Sequence, residues 1–561
     1  MTEQQPAEPQ PSEPPTSDRP SDEVDGASAI GRASAALASG TIVSRILGFV
    51  NAIVLAAVVG VVGSAAADAF TLSTIIPNSI YALIAGGLLS AVLVPQIVRA
   101  HVHDDGGARF VNKLVTLGTV LFLAVAAIAT VAAPILVSVY ATGFTSDELA
   151  LATAFAYWCL PQIFFYALYS LLGQVLNARS IFGPFTWAPA LNNVIAIIGL
   201  VIFLVVFGPA GGVPATEWTP GMIALLGGTA TLGIAAQALV LTLFWKRAGL
   251  RFRPDFRWRG VGLAATGRAA AWVFGMILIT QVAAIIETRV ASQATGDASI
   301  AALKYAWLIF MLPHSIVTVS IATAYFTRLS AHARDGRVDR VRSDLNESLR
   351  GILLIMVFSA FGLAVLAYPF SALFERTFDG VSALGNVTIA YLIGLIPFTI
   401  LFVLQRVYYA LDDTRTPFFL QVFQSVVFVV GVLVASTLPQ QWIAVGIALS
   451  MTIAGTAQTI AASLVLRRRL GGLDAARLLR QVAWFTLAAV IASAVGAVVV
   501  WAMGGFVAGG FAVATLVGGA ITMAVAGFAM AAVYFGVLAI TRNESLKTLS
   551  SPVISRLRRS R

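Results

Sequence analysis

Apolar stretches of bilayer length recur along this chain from residue 33 to residue 540, and no other feature narrows its fold so sharply. The hydrocarbon core of a membrane takes about 20 residues of helix to cross. Fourteen such stretches can be placed, at about 37–61, 70–98, 113–139, 150–177, 185–208, 221–245, 270–293, 299–326, 350–374, 385–411, 417–437, 442–466, 481–503 and 511–540. Several exceed the minimum, which predicts tilted or protruding helices. Composition agrees: 58% of residues are hydrophobic and 11% charged, whereas a soluble domain is roughly one-quarter charged. The predicted fold is an all-α membrane protein of about 14 transmembrane helices.

The net charge of +10 does not point to nucleic acid, because the basic residues fall in short clusters between apolar stretches, as cytoplasmic loops do. With the N-terminus inside, the inner loops hold Arg99, Arg109 and Lys113, then the run from Lys246 to Arg268, then Arg328 to Arg342 and Arg467 to Arg480. The outer loops hold little beyond Arg376. Both termini are therefore expected in the cytoplasm of a bacterial inner-membrane protein. Residues 1–29, rich in Pro, Glu, Ser and Asp, are expected to be a disordered acidic tail. They lack the basic and apolar regions of a signal peptide.

Pro77-Asn78-Ser79-Ile80 and Pro313-His314-Ser315-Ile316 lie 236 residues apart, and so do Pro161 and Pro397. That offset is six helices, an even number, which predicts two six-helix lobes in parallel repeat. The expected organisation is an N-lobe at 30–246, a C-lobe at 269–468, two extra C-terminal helices at 479–540, and a basic tail at 541–561.

Cys159 is the only cysteine and sits in an apolar run, which excludes a disulfide framework or a multi-cysteine metal site. No HExxH, GxSxG or Walker-type loop is present, so neither an enzyme, a cofactor nor a metal centre is expected. Charged side chains at membrane depth cost about 2.5–3.5 kcal/mol on insertion scales and tend to face a cavity or a partner. The candidates are Arg45, Asp68, Glu287, Arg289, Lys304 and Arg406. Arg45 either snorkels to the interface or faces a cavity. Glu287 either pairs with Lys304 on the next helix, carries a proton or binds Na⁺. Its neighbour Arg289 points to nearly the opposite face. Asp68 can cap the second helix, and Arg406 reads as a snorkelling side chain. Gln162, Gln174, Asn177, Asn192, Asn193, Gln281 and Gln405 read mostly as interhelical hydrogen-bonding groups. Gly86-Gly87 and the four prolines can permit bending.

Ser44-Arg45-Ile46-Leu47-Gly48-Phe49, Ala67-Asp68-Ala69-Phe70, Ile76-Pro77-Asn78, Gly87-Leu88-Leu89-Ser90-Ala91 and Val94-Pro95 follow one another in an order that resembles the N-terminal signature of the MurJ/MviN family. Leu176-Asn177-Ala178, Lys304-Tyr305-Ala306 and the run Tyr409-Ala410-Leu411-Asp412-Asp413-Thr414-Arg415-Thr416-Pro417 extend the likeness over about 470 residues. The resemblance implies a MOP-superfamily fold around a central cavity. It also implies flipping of lipid II, a polyprenyl-diphosphate-linked saccharide, between leaflets by alternating access, with membrane lipid and cell-wall synthesis proteins as partners. It makes Arg45, Lys304, Asn51 and Asp68 substrate-binding candidates, and Glu287 and Arg289 coupling candidates. Arginines common in the family are replaced here at Asn51, around Tyr81-Ala82 and at Trp307-Leu308. Polar groups expected on the eleventh helix are replaced around Phe428 and Val432. A flippase for another polyprenyl-linked oligosaccharide, a twelve-helix type of multidrug exporter, and a transport-inactive assembly scaffold remain the alternatives.

Overall fold

The computed structural model describes residues 21–84, 108–179, 181–257 and 268–543. The glycine pair Gly86-Gly87, the signature residues from Gly87 to Pro95, and the basic tail beyond Asn543 lie outside them. Among the described residues the only β pairing is an isolated bridge between Thr295 and Asp297. The N-lobe contains α1 (Ser21–Val59), α2 (Ala65–Ile84), α3 (Ala108–Val131), α4 (Ser146–Ala178), α5 (Gly183–Phe207) and α6 (Pro220–Phe244). The C-lobe contains α7 (Arg268–Ala291), α8 (Ile300–Arg334), α9 (Val338–Val365), α10 in two halves (Phe378–Leu392 and Leu395–Ala410), α11 (Arg415–Ala435) and α12 (Gln440–Arg469). Two further helices follow, α13 (Ala475–Ala502) and α14 (Leu516–Ile540).

Among the described residues, twelve helices are long and apolar enough to cross a membrane, and the two halves of α10, bent by 43°, bring the number to 13 if they form one span. The expected count of 14 is thus not reached on length and apolarity alone. Of the second expected stretch, 70–98, only the part up to Ile84 lies among the described residues, and α2 is not one of the twelve. Helix α1 begins at Ser21, inside the segment read as a disordered tail.

Packing repeats with the sequence. Helix α1 lies on α5 as α7 lies on α11, and α5 on α6 as α11 on α12. Likewise α2 meets α4 as α8 meets α10, and α3 meets α4 as α9 meets α10. The same contacts with the same polarity are what a parallel repeat produces. The repeated prolines mark matching defects, because proline lacks the N–H that would continue the helical ladder. Helix α4 is interrupted at Leu160-Pro161, and α10 at Ile393-Gly394, just before Pro397. After Pro313, α8 opens into a π-turn over His314–Thr318, the usual adjustment where a helical hydrogen bond is lost.

Helices α13 and α14 pack on each other, and α13 packs along α9. A Cβ on Gly496 would come within 2.3 Å of the Met530 sulfur, so a glycine is what lets α13 and α14 approach there. Buried Tyr534 anchors α14 by donating to the Leu354 carbonyl at 2.7 Å.

Candidate functional site

The two lobes meet through α2, α7 and α8. Between them lies a cavity of about 230 Å³, lined by Ile75 of α2, by Glu287 and Thr288 of α7, by Lys304 and Trp307 of α8, and by Tyr391 and Met451 of α10 and α12. The first helix, expected to line such a cavity, does not, whereas α10 and α12 do. The reason is packing: α1 spends its contacts on α5.

Glu287 and Lys304 share this cavity but form no ion pair within 4.0 Å. The sequence reading that pairs them is therefore not what the structure adopts. Lys304 instead donates from Nζ to Thr74 Oγ1 of α2 at 3.2 Å and is otherwise exposed to the cavity. Glu287 makes no hydrogen bond to any described residue. A carboxyl and an amine within apolar helices that do not neutralise each other are expensive to keep. Arg289 is exposed on the far side of α7 and lines no part of the cavity.

Asp68 is fully buried, and it does not cap its own helix. Ser64 already does that, accepting from Ala67 N at 3.2 Å. Asp68 Oδ1 accepts from Ala301 N at 2.8 Å, which caps the start of α8 in the opposite lobe. The 236-residue offset of the prolines also relates Asp68 to Lys304. Each of these equivalent positions thus reaches across to the other lobe. Arg45 is exposed on α1 and lines no part of the cavity, and Arg406 stacks on Phe326 and Phe402. Asn51 Oδ1 is buried without a hydrogen-bond partner among the described residues.

One end of the inter-lobe space is knitted shut by backbone groups. The turn joining α1 to α2 holds Gly60 and Gly63 at φ 75° and 71°, a conformation glycine adopts readily. Val62 N donates to Glu375 Oε1 at 2.6 Å, and Gly63 N to the Asp297 carbonyl at 3.1 Å. Gly143 N donates to Ser292 Oγ at 3.0 Å. Glu375 lies in the loop before α10; its carboxyl is pushed above the ordinary range by burial, partly offset by the N–H groups of Val62 and Arg376. In a state that exposed Glu375 to water, its pKa would return toward 4.5. The sealed state binds more protons in the window above that value, so lowering the pH stabilises the seal and raising it loosens the seal. Spin-label distances across this end should shorten as pH falls through the window. Glu375→Gln, which keeps an acceptor for Val62, should remove the dependence, and an unchanged pH profile in that variant would rule out Glu375 as its source.

At the other end, Asp413 accepts from Thr416 N at 2.9 Å at the start of α11, and pairs with Arg469 of α12 at 2.5 Å. The Asp-Asp-Thr-Arg-Thr-Pro run is thus a structural clasp between two helices.

A polar group that sequence reasoning missed sits on α11 and α12. Gln421, Gln424 and Ser425 share one helical face at i, i+3 and i+4, and Gln458 of α12 meets them. Attention to Phe428 and Val432 alone passed over this face, although its spacing was legible.

The lipid II flippase MurJ family model matches residues 55–522. The chain belongs to this family. Among its relatives, the probable lipid II flippase MurJ of Haemophilus influenzae is 28% identical over 400 residues, covering 67% of this chain and 75% of that protein. That of Rhizobium meliloti is 28% identical over 487 residues, covering 83% and 86%. A solved lipid II flippase MurJ in an inward closed conformation superposes with TM-score 0.69 at 18% identity, covering 90% of this chain and 99% of that one. An inward-facing MATE multidrug transporter of the MOP superfamily gives 0.57 at 16%, covering 76% and 94%. These structural likenesses establish the fold: two repeated lobes, with α13 and α14 added.

Proposed function

We propose that the chain is a flippase that carries lipid II from the inner to the outer leaflet of the bacterial cytoplasmic membrane by alternating access. The observation that supports this reading is the inter-lobe cavity, lined by Lys304 and Glu287 with no ion pair between them, beside a closed end. A cation held there is suited to the diphosphate of a polyprenyl-linked headgroup, through charge-assisted hydrogen bonds, while the polyprenyl tail stays in lipid. The lobes, bounded at 30–246 and 269–468, would rock about α2, α7 and α8 to open the sealed end. Membership of the lipid II flippase MurJ family supports the substrate class.

Purified protein in liposomes carrying fluorescent lipid II tests the reading directly. Headgroup transfer across the bilayer is expected, and Lys304→Met should slow it about tenfold, as loss of a charge-assisted contact of roughly 1.4 kcal/mol would. Wild-type rates in that variant would remove Lys304 from the substrate path. A second reading, transport of another polyprenyl-linked saccharide, is favoured by the replacements that the resemblance implies for family arginines at Asn51, around Tyr81-Ala82 and at Trp307-Leu308. Substituting that lipid in the same assay separates the two.

In the proposed orientation both termini are cytoplasmic and the sealed end faces outward. Reporter fusions after Gly208 and Gly296 should read outside, and one after Arg257 inside. The reverse pattern would invert the direction of transport.

A further inference from the structure

Beyond the charged cavity lies a second one of about 250 Å³, walled entirely by the C-lobe helices α8, α10, α11 and α12. The two share Trp307, Tyr391 and Met451 as walls, so the second adjoins the first. Its character is different: among the described residues no charged side chain lines it, and its polar groups are the four amides of Gln405, Gln421, Gln424 and Gln458, with Thr452, the Tyr391 hydroxyl and the Trp307 indole.

Those amides keep most of their hydrogen-bonding capacity unspent. A glutamine side chain offers two donors and a two-lone-pair acceptor. Gln421 donates to Gln424 Oε1 at 2.7 Å, and Gln458 to Gln421 Oε1 at 3.4 Å. Gln424, buried at 7% exposure, donates only to the Met451 sulfur at 3.4 Å, a weak acceptor. The Gln405 amide bonds to no described residue. Four amides lining one void do more than tie helices together, because polar groups within apolar helices are kept where they face a cavity or a partner. The rest of the lining is aromatic: Trp307 stacks on Phe310 at 4.8 Å between centroids and meets Tyr391 and Phe398 edge-on.

Amides beside aromatic surface, without charge, recognise a neutral polar ring. Its described lining carries neither a cation to meet a phosphate nor a carboxylate to meet an amine. The volume lies below the roughly 300–1,000 Å³ of sites for drug-sized ligands, which suits one sugar ring and not a complete headgroup. An N-acyl group fits amide walls best, because its N–H and C=O can be met by the carbonyl and NH₂ of glutamine in pairs.

We propose that this cavity is a binding subsite for a neutral N-acylated sugar, set beside the charged cavity, which holds the diphosphate. The inference rests on the flippase reading for its role in transport, but not for its chemistry. Lys304 would hold the anionic linkage while the glutamines select the sugar attached to it.

The test uses full-length protein in nanodiscs and N-acetylglucosamine as the probe, with glucose as the control, followed by saturation-transfer NMR. N-acetylglucosamine should bind at least about tenfold more tightly than glucose. Gln424→Met and Gln458→Met, which keep side-chain length, should each weaken that binding about tenfold, the usual scale for one buried hydrogen bond. Unchanged thermal unfolding of both variants guards against misfolding. Equal binding of the two sugars, or binding untouched by both glutamine variants, would overturn the subsite. The liposome assay then separates the two claims. If wild type flips lipid II and both glutamine variants flip it equally fast, the subsite falls and the flippase reading stands. If wild type binds N-acetylglucosamine selectively but does not flip lipid II, the subsite stands and the substrate reading falls.

Discussion

Gly143→Ala is expected to lower lipid transfer at least about tenfold while leaving the folded protein abundant. Gly143 precedes α4 and lies against the end of α7 in the other lobe. A Cβ placed there would come within 2.5 Å of the Ser292 carbonyl oxygen and 2.6 Å of its carbon. Both are backbone atoms, so no side-chain rotation relieves the clash. Overpacking of this kind costs about 1–3 kcal/mol, and here the cost falls on the contact between lobes and not on either lobe's core. The equilibrium should therefore shift away from the sealed state by roughly ten- to a hundredfold. Distances measured between spin labels at the sealed end should lengthen in Gly143→Ala, and transport should slow in parallel. Unaltered distances with normal transport would show that the two ends do not close on each other during the cycle.

Glu287→Gln is expected to have a comparably large effect, but on energetic coupling and not on closure. Glu287 is a carboxylate at membrane depth with no ion pair within 4.0 Å and no hydrogen-bond partner among the described residues. It opens into the same cavity as Lys304 and lies beside Tyr391. A charge so placed is costly, and carrying a proton through the cycle would relieve that cost in one of the two states. Headgroup transfer driven by a proton gradient should fall about tenfold in Glu287→Gln, a change of roughly 1.4 kcal/mol in the barrier. The residual rate should no longer respond to the gradient. Wild-type transport that responds to Na⁺ alone would show proton coupling to be wrong. Full transport by Glu287→Gln under every gradient would make the residue structural. Arg289, named with it from sequence, faces away from the cavity, so Arg289→Gln should leave coupling as it is.

The architecture was legible in the sequence because a bilayer imposes one rule on every span: enough apolar residues, helically bonded, to cross it. Spans, charge asymmetry and the 236-residue repeat all follow from local composition, and the repeated prolines mark helix defects wherever they fall. The ordered signature around Arg45, Asp68 and Pro77 identified the family without any geometry. What sequence could not supply was partnership across 200 or more residues. Asp68 reads as a cap for its own helix until tertiary packing shows that Ser64 has taken that place and α8 lies opposite. An ion pair between Glu287 and Lys304 was one reading open from sequence, because adjacent helices bring them near, yet Thr74 of the other lobe takes the lysine. The glutamine-lined cavity depends on α8, α10, α11 and α12 converging, although half of its spacing was visible on α11 alone. Apolar periodicity specifies which residues enter the membrane; which of them face one another is decided only when the lobes pack, because long-range contacts carry no local signal.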